Sequence, residues 1–342
     1  MKLGDLQEGT FKIEAVRLAK GCPEACAHCG AYEGDFDHED LKVVEASRAD
    51  VEACLTKEVD VKSAQGSVRR RLVDLFNNYV TTDVNTEPLR GSAFLHFAQM
   101  VKSLSGGDSR VVCVSHGLRT DESGLSNNKN HRMMRSRLNS VVEQMDEKDV
   151  FVLSMDFARG KGKIKPEVNL VSYVATLDAL LPAIRKGSRV TVSLQGDDNP
   201  NLPDGSDNPL FRGKAYDLFK VVKIKLKQRG WNDADIMKLH IDAERAMVVS
   251  GRATSIPGLD PSNECPVIPD ADFVEKALAK DHTLRGLLDC FTGDVFSQAN
   301  NPGKSYNTTV GGKWEKLNGN SLPAAMPVSH GRTSIERRPE VA

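Results

Sequence analysis

The chain has 342 residues, 39% of them hydrophobic, and Lys+Arg 46 against Asp+Glu 47 leave a net charge of −1. Such a chain can bury a sizeable core, which excludes global disorder, and its balanced charge excludes a bulk field drawing it to nucleic acid or a membrane surface. The N-terminus, MKLGDLQEGTFKIEAV, lacks the apolar core of a signal peptide and no apolar run reaches membrane-spanning length, so the sequence reads as cytoplasmic.

Strands and helices alternate along the chain. TFKIEAVRLA (10–19) reads as a first strand, and NNYVTTDV (77–84) as a second. VVCVSHG (111–117), DVFVLSMDF (149–157) and RVTVSLQG (189–196) are short, Val-rich runs stopped by polar residues or glycine, the pattern of parallel strands buried on both faces. KLHIDAERAMVV (238–249) is one strand or a hairpin around Glu244–Arg245. Between them, Phe94, Phe97, Ala98, Val101 and Leu104 share a helical face before Gly106–Gly107. Met134, Leu138, Val141, Val142 and Met145 form a second stripe, and Leu170, Val171, Val174, Leu177, Leu181 and Ile184 a third, closed by Gly187. AYDLFKVVKIKLKQRGW carries both periods; Ala215, Leu218, Phe219, Val222 and Leu226 with Gly230 as a stop favour a helix. Strand–helix units at a spacing of roughly 40 residues predict an α/β fold on a parallel sheet, closed or partly closed as a barrel.

Beyond residue 250 the pattern changes. GRATSIPGLDPSNECPVIPD is turn-rich, LRGLLDCFTGDVFSQ predicts a hairpin turning at Thr292–Gly293–Asp294, and residues 321–342 read as a flexible tail. The expected division is residues 1–250 as the barrel, 251–320 as an extension covering its mouth, and then the tail.

Chemistry in α/β barrels gathers at the carboxyl ends of the strands. Those ends carry Asn85–Thr86–Glu87, Ser115–His116, Ser154 with Asp156, Gln195 with Asp197 and Asp198, and Asp242 with Glu244. After the first strand comes GCPEACAHCGAY, with Cys22, Cys26 and Cys29 in a C-x3-C-x2-C run. Three thiolates suit zinc or an iron–sulfur cluster, and they are one ligand short of a closed tetrahedral site. His28 or His38 could complete a zinc knuckle, and Cys26 with Cys29 could form a redox pair. Cys54, Cys113, Cys265 and Cys290 are scattered singly, unlike a disulfide framework, which points to a reducing compartment.

A C-x3-C-x2-C run after the first strand of such a fold resembles the radical S-adenosylmethionine (radical SAM) superfamily. The resemblance covers roughly residues 10–250 and implies a partial (β/α)6 barrel with a C-terminal turn- and hairpin-rich extension. It implies that Cys22, Cys26 and Cys29 hold a [4Fe–4S] cluster whose open iron is chelated by S-adenosylmethionine. Reductive cleavage then yields a 5′-deoxyadenosyl radical, which abstracts hydrogen from an organic substrate, a peptide or small molecule. An electron donor such as flavodoxin or ferredoxin is the implied partner. TTDVNTEPL (81–89) stands where the family carries a Gly-Gly-Glu-Pro-like stretch, so Glu87 would bond the methionine amino group; Asn85 and Thr86 replace the glycines. Ser154 and Asp156 resemble a ribose-contacting pair, and His28 occupies the place of an aromatic ring beside the adenine.

Blander roles stand beside these. Glu87 could be an acid at a helix N-terminus, Ser154 and Asp156 strand-end caps, His116 a satisfied histidine and Cys113 a core residue. Cys290 and Cys265 are candidate hydrogen donors, or small buried hydrophobes. The region past the barrel holds no cysteine pattern for auxiliary clusters. The alternative from another class is a zinc-stabilised binding protein without radical chemistry.

Overall fold

The computed structural model describes residues 9, 11–21, 43–82, 87–118, 129–155, 166–195, 215–244, 284–298, 313–316 and 324–325. The first strand, β1 (Phe11–Arg17), is followed by two short strands, β2 (Ala19–Lys20) and β3 (Val44–Glu45). Helix α1 (Arg48–Thr56) leads into a hairpin of β4 (Glu58–Ser63) and β5 (Gly66–Arg71), then β6 (Phe76–Thr82). Helix and strand then alternate as α2 (Ala93–Leu104), β7 (Arg110–Ser115), α3 (Lys129–Gln144), β8 (Val150–Met155), α4 (Pro166–Lys186) and β9 (Arg189–Gln195). After α5 (Ala215–Gln228), α6 (Asp233–Met237) and β10 (His240–Glu244), the last strands are β11 (Leu284–Asp289), β12 (Asp294–Gln298), β13 (Lys313–Lys316) and β14 (Ala324–Ala325).

One ten-stranded sheet organises these elements, in the order β10-β9-β8-β7-β6-β1-β11-β12-β13-β14. From β1 through β6 to β10 every neighbouring pair is parallel. Their order follows the chain without reversal, which is the order of a sheet wound in one direction. Helices α2, α3, α4 and α5 each pack on the next, as such a winding requires. The fold is α/β on a parallel sheet. Among the described residues no pairing joins β10 to another strand besides β9.

The two faces of the sheet differ. Val80, Val111, Cys113, Phe151, Leu153, Val190, Val192 and Leu194 align in register and belong to the main apolar core, with Phe97, Val101, Leu138, Leu177 and Val222 from the helices. Alternation puts Thr81, Val112, Val114, Val152, Thr191, Ser154 and Ser193 on the opposite face, where Ser154 and Ser193 are register partners and buried. A register shift at Glu14 turns β1 over in mid-strand. Ile13 therefore joins the helix-side core, while Ala15 lies with Leu287 and Phe296 in a separate small cluster.

Several expectations are met and others are extended. The helical period prevails in AYDLFKVVKIKLKQ, where Val222 and Leu226 are buried while Ile224 is 57% exposed. KLHIDAERAMVV contributes a strand at His240–Glu244, and 245–250 lie outside the described residues. The hairpin around Thr292–Gly293–Asp294 forms as β11 and β12, with Gly293 at φ +68°. Its placement is new: β11 pairs parallel with β1, so the C-terminal strands continue the sheet. That pairing needs Gly286, because a Cβ there would collide with the Phe11 ring. Helix α1 and the β4–β5 hairpin are also additions; α1 begins in a capping box in which Ser47 and Asp50 satisfy each other's backbone N–H.

Candidate functional site at the carboxyl ends of the strands

Because β1 and β6 to β10 are parallel, their carboxyl ends share one edge of the sheet. At the end of β1 the chain leaves on an excursion that is pinned where it starts and returns. β2 pairs antiparallel with β3, joining Ala19 to Glu45 and Lys20 to Val44, and the Ala46 N–H donates to the Leu18 carbonyl at 2.8 Å. Residues 22–42 lie between these anchors and outside the described residues, and with them Cys22, Cys26, Cys29, His28 and His38. Among the described residues no three His, Cys, Asp or Glu side chains come together as a metal site.

The turn between β11 and β12 packs against this base. The Cys290 N–H donates to the Arg17 carbonyl at 3.0 Å, and Lys20 Nζ stands 4.5 Å from the centre of the Phe291 ring. Arg17 Nη1 pairs with Asp289 Oδ2 at 3.2 Å, both side chains being 7% exposed. Asp289 Oδ1 also accepts from the Phe291 N–H at 2.9 Å, so this carboxylate shapes the turn and neutralises the guanidinium together.

Glu87 is the most heavily engaged group at this edge. It is 1% exposed, and its Oε1 accepts from the Leu89 N–H at 3.1 Å and from the Ser115 hydroxyl at 2.6 Å. Its Oε2 accepts from the His116 N–H at 2.8 Å. Glu87 thus caps the 3-10 turn Pro88–Arg90 and also ties it to the end of β7. Arg137 Nη1 on α3 holds the same turn through the Leu89 carbonyl at 3.1 Å. A cavity of about 20 Å³ lies beside Glu87, bordered by Glu45, Thr82 and Gly91, and it is large enough for a single water. Residues 83–86, including Asn85 and Thr86, lie outside the described residues.

His116 was expected to be a satisfied histidine, and in part it is not. Its backbone is bonded to Glu87, yet its Nδ1 is buried without a hydrogen-bond partner. Ser154 sits at the end of β8 beside Ser193 on the face away from the helices, 4% exposed, while Asp156 lies outside the described residues. The cysteines past the cluster run are spread through the core. Cys113 is fully enclosed in the helix-side core, and burial, with the Glu87 carboxylate near, pushes its thiol well up. The Cys54 thiol donates to the carbonyl of Cys290, which is 1% exposed, at 3.7 Å; the contact with Cys54, then burial, raises the Cys290 thiol, and the same contact lowers Cys54. This placement favours the small-hydrophobe reading of Cys290 over a donor facing a substrate. Cys265 lies outside the described residues.

No protein-family model and no curated sequence matches the chain. Among solved structures it is similar to SuiB of Streptococcus suis, at 14% identity over 84% of this chain and 60% of that one, with a TM-score of 0.35. SuiB bound to the precursor peptide SuiA gives 12% identity over 84% and 59%, again with a TM-score of 0.35. The chain spans about three-fifths of the length of these structures. Among the described residues no helix is long and apolar enough to cross a membrane.

Proposed function

We propose that the chain is a radical SAM enzyme with one cluster, acting on an organic substrate, a peptide or a small molecule. The observation that carries this reading is the position of the C-x3-C-x2-C run. It begins one residue after Gly21, at the carboxyl end of the first of six parallel strands laid side by side in chain order. On this reading Cys22, Cys26 and Cys29 hold a [4Fe–4S] cluster, and the β2–β3 anchor presents their loop over the sheet. The six strands curve into a partial barrel whose polar inner face, with Ser154 and Ser193, is the ligand side. His28, Ser154 and Asp156 line the place of S-adenosylmethionine beside Glu87. The parts of 251–320 outside the strands that continue the sheet close over this end, a reading that the contact of the β11–β12 turn with the base of the excursion supports. When bound and reduced by a flavodoxin- or ferredoxin-type donor, cluster and S-adenosylmethionine supply a 5′-deoxyadenosyl radical for hydrogen abstraction.

Anaerobic reconstitution of the full chain with iron and sulfide tests the proposal. A brown protein with about four irons per chain, releasing 5′-deoxyadenosine from S-adenosylmethionine on addition of a strong reductant, is the expected result. A colourless protein binding one zinc would overturn it in favour of a zinc-stabilised binding protein.

A further inference from the structure

A larger cavity lies towards the amino ends of the strands, where Arg110 opens β7 and Val150 opens β8. It separates α2 from α3 and has a volume of about 390 Å³, in the range of small-molecule sites. Leu95 and Ala98 of α2 face Val141 of α3 across it. Water entering between such walls finds few of the two to four polar partners it needs, whereas an apolar molecule needs none. The polar groups gather at one end. Lys102 Nζ is 2.5 Å from Asp146 Oδ2 and 3.0 Å from Asp149 Oδ2, and it donates to the Gln144 carbonyl at 3.2 Å, so its three donors are used. Arg110 is served less well. Its side chain is 9% exposed, with Nη2 3.4 Å from Asp146 Oδ2 and Nε 3.7 Å from Asp149 Oδ1. The carboxylates match its charge, yet Nε and Nη1 are buried without a hydrogen-bond partner. Two cations thus face two carboxylates, and the cavity is left with spare donors and no net charge.

We propose that this cavity binds an uncharged, largely apolar molecule with one hydrogen-bond acceptor, its body between α2 and α3 and its acceptor on the Arg110 guanidinium. Charge balance sets the class. An anion would add a third negative charge where two carboxylates already match Lys102 and Arg110, and a cation would meet only donors. A hydrocarbon would fill the space and leave the guanidinium unsatisfied. A carbonyl oxygen satisfies it and takes no new charge out of water. This site is separate from the proposed radical chemistry and does not rest on it. The two are neighbours all the same: Phe94 borders both this cavity and the small one beside Glu87, so the inner end of the ligand lies one side chain from the carboxyl-end site.

The test is a ligand-observed NMR titration of the full chain with three probes of nearly equal shape. Acetylnaphthalene carries a carbonyl acceptor, ethylnaphthalene carries none, and naphthoate is an anion. The expected result is binding of acetylnaphthalene, with ethylnaphthalene and naphthoate each roughly tenfold weaker. Ala98→Phe on α2 and Val141→Phe on α3 each place a ring in the cavity, and either one that keeps a cooperative melt should abolish binding. Arg110→Lys retains a cation beside the carboxylates but removes the guanidinium donors. In that variant the preference for acetylnaphthalene over ethylnaphthalene should vanish while ethylnaphthalene binds as before. Failure of acetylnaphthalene to bind the wild-type chain overturns the inference, as does binding that survives a folded cavity-filling variant. Equal affinity for acetylnaphthalene and ethylnaphthalene overturns the part given to Arg110, and tightest binding of naphthoate overturns the uncharged class.

Discussion

The Glu87 carboxylate and the Ser115 hydroxyl meet at 2.6 Å, joining the segment after β6 to the last residue of β7. With Glu87 1% and Ser115 1% exposed, water reaches neither partner well. Removing the carboxylate orphans three donors at once. Glu87→Ala is expected to lower stability by roughly 3 kcal/mol, and Ser115→Ala by about 1–2 kcal/mol. Urea unfolding of each variant measures this. Because the two residues share one network, the double variant should lose less than the sum, and strict additivity would deny the coupling.

Cluster ligation should separate the cysteines into two groups. Cys22→Ala, Cys26→Ala and Cys29→Ala each remove a proposed ligand, and each should lose the iron and the visible absorption of the reconstituted protein. Cys54, Cys113 and Cys290 are buried thiols of the described core, so their replacement by alanine should leave iron per chain unchanged. Full iron in any variant of the first group would assign ligation elsewhere.

Arg17 and Asp289 form a buried pair across β1 and β11. Replacing one member leaves the other charge enclosed without its counterion. Asp289→Asn should therefore cost roughly 3–5 kcal/mol, while Arg17→Met combined with Asp289→Asn recovers part of that loss. Thermal unfolding of the single and double variants decides, and a double variant weaker than both singles would contradict the pairing.

Gly117→Ala should destabilise the chain by roughly 1–3 kcal/mol, since it forces a left-handed φ on alanine and pushes a methyl against Thr176. Circular dichroism melting provides the measurement. Thr176→Ala also removes the Leu118 acceptor, so the double variant separates crowding from backbone strain. Relief of the whole effect in the background of Thr176→Ala would mean that strain contributes nothing.

The Arg71 hydrogen bond holds the Asp74 carboxyl below its ordinary value, with the Arg71 N–H as a further donor. A carboxyl depressed in the folded state contributes stability above the unfolded pKa of about 4 and loses it as pH falls through the folded value. Both side chains are about a third exposed, so solvent screening limits the pair to no more than about 1 kcal/mol. Asp74→Asn should flatten the acid limb of the stability curve by that amount. An unchanged limb would show that the pair contributes nothing.

Local pattern carries much of this protein. The Val-rich runs at 110–115, 150–155 and 189–195 and the apolar stripes of α2 to α5 are visible in sequence, because burial against one layer imposes periods of two and 3.6 on the residues themselves. Glycines 187, 230 and 293 mark their stops for the same local reason, a positive φ. The cysteine run is equally local, three thiols within eight consecutive positions. Other features depend on what the chain brings together across long separations. No pattern in LRGLLD says that it pairs with β1 some 270 residues earlier, nor that Gly286 must clear the Phe11 ring. The sequence left Glu87 open between a ligand contact and an acid at a helix N-terminus, and could not choose. Three donors, two of them from the end of β7, turn its carboxylate inward. Hydrogen-bond satisfaction in a buried site belongs to the whole fold, and only the tertiary structure could decide it.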